Sequence, residues 1–199
     1  MKLNKRLSKK YLGKRDYMQR EVDNITRIED KIKNSLNKLY EDDIFLFERN
    51  DGNGVCERCI VFRLAHSLQL EFNNFFVDCD FNSSFEYTST ENGRENEKER
   101  SGKEIENEDG TGTKRFVDII IHKRNYFIDN DFICFEIKKW NNTNRDNVRK
   151  DLNNIKQLTT TYGYKCGYHI ILGKVKGETK WTIINNGKII KENELIYID

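Results

Sequence analysis

Two stretches, Arg115–Lys123 and Phe132–Lys139, hold runs of branched and aromatic residues broken at single positions by an acid, with a polar segment around Asp129-Asn130-Asp131 between them. No other feature constrains the fold as tightly, because such runs bounded by turn-formers make the two strands of a hairpin. Side chains alternate across a strand. Cys134, Glu136 and Lys138 therefore share one face and Ile133, Phe135 and Ile137 the other, while Asp118 shares its face with Ile120 and His122. Pairing the two strands antiparallel with Asp118 roughly opposite Glu136 centres the turn on Phe127, inside the polar segment. Two acids and a lysine then converge at one end of an otherwise apolar hairpin. Carboxylates that close repel, and each is costly to desolvate. A divalent cation resolves both problems, and hard oxygen donors select Mg²⁺ or Mn²⁺ over zinc. Lys138 can hold a water or stabilise charge growing on a phosphate. The same spacing also suits a solvent-exposed strand edge carrying a Lys–Glu ion pair.

The remaining elements follow from periodicity. Between Arg20 and about Glu41, Val22, Ile25, Ile28, Ile32, Leu36 and Leu39 recur at helical spacing with charges between them, which predicts an amphipathic helix. Asp51-Gly52-Asn53-Gly54 is a turn cluster. Val55 to about Phe72 reads as a second helix, apolar on most sides and therefore largely buried. Phe75–Phe81 reads as a short strand, Asn144 to about Thr160 as a helix, and Tyr164–Leu172 as another strand. Trp181–Ile184 and Lys188–Ile190 flank Asn185-Asn186-Gly187, a hairpin signal because Asn-Gly tolerates the positive φ of a tight turn. The order is that of an α/β domain, a mixed central sheet flanked by helices.

Length and charge set the outer limits. A chain of 199 residues is one domain by size, and with 34% charged residues it is a very polar one. Its mostly apolar runs, such as Phe116–Ile121 and Ile170–Leu172, are too short to span a bilayer, so no membrane association is expected. Residues Met1–Arg20 carry eight bases against one acid, a basic arm that can neutralise phosphates or simply aid solubility. From Glu86 to Asp109 there are nine acids against four bases. With few apolar residues and several glycines, the stretch at about 83–113 reads as a mobile acidic loop inside a single domain spanning 21–199. Met1–Lys10 lacks the apolar segment of a secretory signal, so the expected setting is the reducing cytoplasm, where five cysteines stay as thiols. Cys56 and Cys59 form a C-x-x-C with no second pair, so a structural zinc site is not expected. Cys79, Cys134 and Cys166 stand alone in strand-like runs as small buried hydrophobes.

Val117-Asp118, followed eighteen residues on by Glu136-Ile137-Lys138, resembles the signature of the PD-(D/E)XK phosphodiesterase superfamily, nucleases with a restriction-endonuclease-like fold. The surrounding order of helix, three-stranded meander, helix and strand is similar too, over about Val55 to Leu172. Val117 stands where the family usually has proline, a residue that shapes the strand and does no chemistry. The resemblance implies that Asp118 and Glu136 bind Mg²⁺ or Mn²⁺, that the Ile137 carbonyl is a further ligand, and that Lys138 positions or activates the attacking water. Many members add an acid from the first core helix, and Glu57 is the candidate. On its own terms Glu57 begins the face of Val61, Leu64 and Leu68, where a carboxylate either has a partner or serves the helix dipole. Asp151, Lys156 and Gln157 on the following helix are weaker candidates, as are Asp78, Asp80 and His122, each of which also reads as an ordinary polar residue. Some members carry an iron–sulfur cluster, which the cysteine spacing here hardly supports.

The expected function is therefore metal-dependent hydrolysis of phosphodiester bonds in nucleic acid, DNA before RNA, in a setting such as restriction, phage defence or mobile-element biology. Two alternatives belong to other classes. One is a nucleic-acid-binding module that keeps the fold without cutting. The other is a subunit whose Arg20–Glu41 helix presents its apolar stripe to a partner protein. A homodimer is compatible with either activity, since cutting both strands of a duplex commonly takes two sites.

Overall fold

The computed structural model describes residues 25–48, 55–81, 104–106, 111–114, 116–123 and 131–197. The basic arm, Val22, the turn cluster at 51–54 and most of the acidic stretch lie outside the described residues. The elements are helix α1 (described over 25–42), α2 (Glu57–Glu71), β1 (Phe76–Phe81), β2 (Glu104–Glu106), β3 (Gly112–Lys114), β4 (Val117–His122), β5 (Asp131–Lys139), α3 (Arg145–Thr161), β6 (Cys166–Leu172), β7 (Lys180–Asn185) and β8 (Lys188–Leu195). Six strands form one mixed sheet in the order β1-β4-β5-β6-β7-β8. All neighbours are antiparallel except β5 and β6, which run parallel and are joined by the crossover helix α3.

The central strands of the sheet are buried on both faces. On one side Ile119, Ile121, Phe135, Ile137, Tyr168, Ile170, Trp181 and Ile183 join the apolar stripes of α1 and α2 in the larger core. On the other side Ile120, Cys134 and Ile184 meet Ile155 and Leu158 of α3 and Tyr164. The stripe of α1 is thus spent inside its own domain, since Ile28, Ile32, Leu36 and Leu39 are all buried there. That corrects the reading in which this helix faces a partner chain. Tyr40 anchors the helix end: its hydroxyl donates to the Gly173 carbonyl at 2.9 Å and lies 2.6 Å from Thr179 Oγ1. Burial pushes this phenol up to about 12. Lys191 of β8 reaches Glu29 at 2.9 Å and ties the far strand to α1.

Two further expectations are corrected. Helix α2 is not largely buried: Ile60, Val61, Leu64 and Leu68 are covered, whereas Phe62 and Leu70 are more than half exposed. A helix at the edge of a two-layer contact has one covered face, whatever its composition. Within the acidic stretch, β2 and β3 pair antiparallel, Glu104 with Lys114 and Glu106 with Gly112. The Tyr162 hydroxyl at the end of α3 bridges to the backbone of Glu104, accepting from its N–H at 2.8 Å and donating to its carbonyl at 2.9 Å. Backbone pairing of this kind is indifferent to side-chain polarity, so composition alone gave no sign of it.

Gly167 sets the distance between α3 and the sheet. A Cβ placed there would stand 2.0 Å from Ile155 Cγ2 and 3.2 Å from Cys134 Sγ. Gly167→Ala forces the helix outward and is expected to cost about 1–3 kcal/mol, the usual range for overpacking. Urea denaturation reads this as a lower midpoint at unchanged slope. An unchanged midpoint would show that α3 is not seated on this contact.

Candidate active site

The pairing of β4 with β5 sets Ile119 across from Phe135, Ile120 from Cys134 and Ile121 from Ile133. One step further along the same ladder, Asp118 falls across from Glu136, the register considered in the sequence. The ladder shifts beyond Ile121, where His122 meets Asp131. Asp118 Oδ2 accepts from the backbone N–H of Ile137 at 2.7 Å, which fixes this carboxylate against the β5 strand that carries Glu136 and Lys138. Glu136 is buried.

Glu57 arrives from the first turn of α2. Its carboxylate accepts from the N–H of Lys139 at 3.0 Å and from Asn142 Nδ2 at 3.1 Å, and its other oxygen lies 3.4 Å from Lys138 Nζ. Asn142 sits in the turn after β5, closed by its own N–H donating to the Lys139 carbonyl at 2.9 Å. Two helices and two strands therefore converge on one lysine. Lys138 Nζ is 3.4 Å from Glu57 Oε1, 3.4 Å from Asp151 Oδ2 of α3, and 3.3 Å from the Ile137 carbonyl oxygen. His169, which pairs with Glu136 across the parallel β5–β6 ladder, is almost fully buried with Nε2 3.8 Å from the same Asp151 oxygen.

The electrostatics follow from this crowding. Burial raises the Asp118 carboxyl above the ordinary carboxylate range, and although the Ile137 N–H and Lys138 pull it down, Glu57 and Asp151 push it further up. Burial alone would depress the Lys138 ammonium, yet Asp151, Asp118, Glu57 and Glu136 together outweigh it and hold its pKa above the usual lysine value. Four acids around one ammonium leave an excess of negative charge in a partly dehydrated place, where each uncompensated charge is costly. In kind and charge these donors fit a hard divalent cation: carboxylate oxygens with a backbone carbonyl beside them. Among the described residues no three acid, histidine or cysteine groups already meet at metal-ligand spacing.

The structure separates the secondary candidates. Asp151 joins the cluster through Lys138. Lys156 and Gln157 give their carbonyls to Thr159 and Thr160 hydroxyls near the end of α3. Asp78 lies 2.6 Å from the buried His122 Nε2, and this pair, half-covered on the Asp78 side, braces β1 against β4. Asp80 takes a left-handed backbone (φ 49°), and its carboxylate pairs with Arg58 of α2 at 3.4 Å. Cys79 between them is half-buried, its thiol pushed up to about 11 by burial and the neighbouring acids. His169 and Asn142 are the members that sequence reasoning missed. The single polar side chain within Cys166–Leu172 that faces α3 was the available sign for His169; nothing local marked Asn142.

Comparison with protein-family models, with curated proteins and with solved structures returned no match. No helix among the described residues is long and apolar enough to cross a membrane.

Proposed function

We propose that the chain is a divalent-cation-dependent nuclease with a restriction-endonuclease-like core, hydrolysing phosphodiester bonds in nucleic acid, DNA before RNA. The observation that carries the reading is the largely buried Lys138, whose ammonium lies 3.4 Å from acids of two separate helices and whose strand and its neighbour supply Glu136 and Asp118. A fold-stabilising ion pair needs one acid; gathering four round one base opposes stability and belongs to a site that handles charge. The strand order supports the same reading, because an antiparallel β1-β4-β5 meander followed by a crossover helix and a parallel strand matches the core implied by the sequence resemblance.

Asp118, Glu136 and Glu57, with the Ile137 carbonyl, would hold Mg²⁺ or Mn²⁺. When bound, the ion supplies polarisation of the phosphate and a lowered pKa for water. The chain's own groups do the rest. Lys138 orients a water and offsets negative charge that grows on the phosphate. Asp151 holds that ammonium from the α3 side, and His169 lies behind Asp151. The Ile137 N–H keeps Asp118 aimed along the strand. The basic residues of Met1–Arg20 add sequence-blind affinity for phosphate.

The deciding assay incubates labelled single- and double-stranded DNA and RNA with the full chain in Mg²⁺, in Mn²⁺ and in EDTA. Cleavage of at least one substrate with either ion and none in EDTA is expected. Salt-sensitive binding without cutting under any condition would replace the nuclease with a binding module. The absence of both cutting and binding would take nucleic acid out of the reading.

A further inference from the structure

The C-x-x-C pair is left unused by the proposed chemistry, and its placement is unusual. Cys56 caps the N-terminus of α2 with an extended backbone (φ −59°, ψ 145°), and its carbonyl accepts from the Cys59 N–H at 3.1 Å. That turn brings the two Sγ atoms within 2.8 Å of each other. Both cysteines are exposed, whereas Cys134 and Cys166 are buried and Cys79 is half-covered. Two thiols with only structural duties would be covered and apart, as Cys134 and Cys166 are. Here they are held in mutual contact and open to solvent.

We propose that Cys56 and Cys59 form a redox-active dithiol that exchanges with low-molecular-weight or protein disulfides and closes reversibly to an internal disulfide. The covalent bond needs the sulfurs about 2.05 Å apart, so the pair closes by an approach of less than about 1 Å without unwinding the helix. In the first step one cysteine sulfur, as thiolate, attacks the external disulfide, forming a mixed disulfide and releasing one thiol of the oxidant. In the second, the neighbouring cysteine thiolate attacks the mixed disulfide at the protein sulfur and releases the other. Two electrons pass from the cysteines to the oxidant, and their two protons leave on the two released thiols. Contact between the sulfurs makes the second step intramolecular and fast, which separates this site from two independent surface thiols. The exchange does not depend on nuclease activity. Glu57 lies between the two cysteines, so the ring that closes includes the α2 acid of the cluster.

Glutathione disulfide is the probe, and intact-protein mass the readout. Full-length protein, reduced and freed of reductant, is expected to lose two hydrogens on treatment and to carry no lasting glutathione at this pair. Peptide mapping should place the bond between Cys56 and Cys59, and dithiothreitol should reverse it. Cys56→Ser and Cys59→Ser each leave one thiol, and each should retain one glutathione as a stable mixed disulfide at the remaining cysteine. Wild type that stops with a glutathione on each cysteine would overturn the proposal, because independent thiols behave that way. So would wild type that stays fully reduced while either single variant takes up glutathione, or in which neither variant does.

Discussion

Glu136→Gln is expected to cut nucleic acid about 10³-fold more slowly than wild type in saturating Mg²⁺, which corresponds to about 4 kcal/mol of barrier. The substitution keeps shape and removes one negative charge. Glu136 is buried beside three other acids that share one ammonium, so removing its charge gives up part of one attraction and relieves three repulsions; the balance predicts equal or higher thermal stability. Activity and stability should therefore move in opposite directions, the mark of a residue kept for chemistry. The measurement is single-turnover cleavage beside a thermal melt, with Asp146→Asn as the comparison: that acid lies in the first turn of α3 and is exposed. A Glu136→Gln protein that keeps its rate within about tenfold of wild type would take Glu136 out of the reacting group.

What could be foreseen divides along a physical line. Where the relevant neighbour is set by alternation within a strand or by a tight turn, the sequence was enough. The face shared by Glu136 and Lys138 and the Asn186-Gly187 turn with both residues at positive φ were legible in this way, and a hairpin across the polar segment allowed the register that sets Asp118 opposite Glu136. Where a neighbour comes through a parallel crossover, local sequence is silent. His169 meets Glu136 only because β6 lies parallel to β5 in one particular register, and no residue between them encodes that register by itself. Asn142 and Lys139 reach Glu57 across more than eighty positions because α2 packs its first turn against the end of β5, a docking that local sequence does not encode either. The exposed Phe62 and Leu70 show the opposite failure, where apolar composition implied more cover than the architecture supplies. The β2–β3 pair inside the acidic stretch depends on backbone hydrogen bonds to which charge counting is blind.

Asp151 links these two kinds of neighbour. As one of several polar residues on α3, it looked like a solvated helix charge. In the fold it is buried, because α3 is drawn onto the sheet by the missing side chain of Gly167, one turn of contact away at Ile155. A backbone allowance on β6 thus places a carboxylate against the lysine on β5.

Lys138→Met is the sharpest test of how that cluster is balanced. Methionine keeps the unbranched stem and deletes the charge that the four acids share, and stripping one partner from a buried ion cluster costs about 3–5 kcal/mol. At neutral pH in EDTA the variant should lose stability on that scale. In wild type, Lys138 has a folded pKa above its unfolded one, so its contribution is complete below the ordinary lysine range. That contribution is lost only as pH rises through the raised folded value. The deficit should therefore be constant across the neutral range. It should narrow on acidification, because Asp118, already above the usual carboxylate range, rises further without its counter-charge. An acid whose folded pKa is raised returns stability as pH falls through that value. Mg²⁺ or Mn²⁺ should restore part of the loss at neutral pH by replacing the missing positive charge, while cleavage stays low because no ammonium remains beside the phosphate. Denaturation midpoints at three pH values, each with EDTA and with Mg²⁺, carry the whole comparison. A variant as stable as wild type in EDTA at neutral pH would mean that the four carboxylates are not held together by Lys138, and the cluster would lose its claim to be a built site.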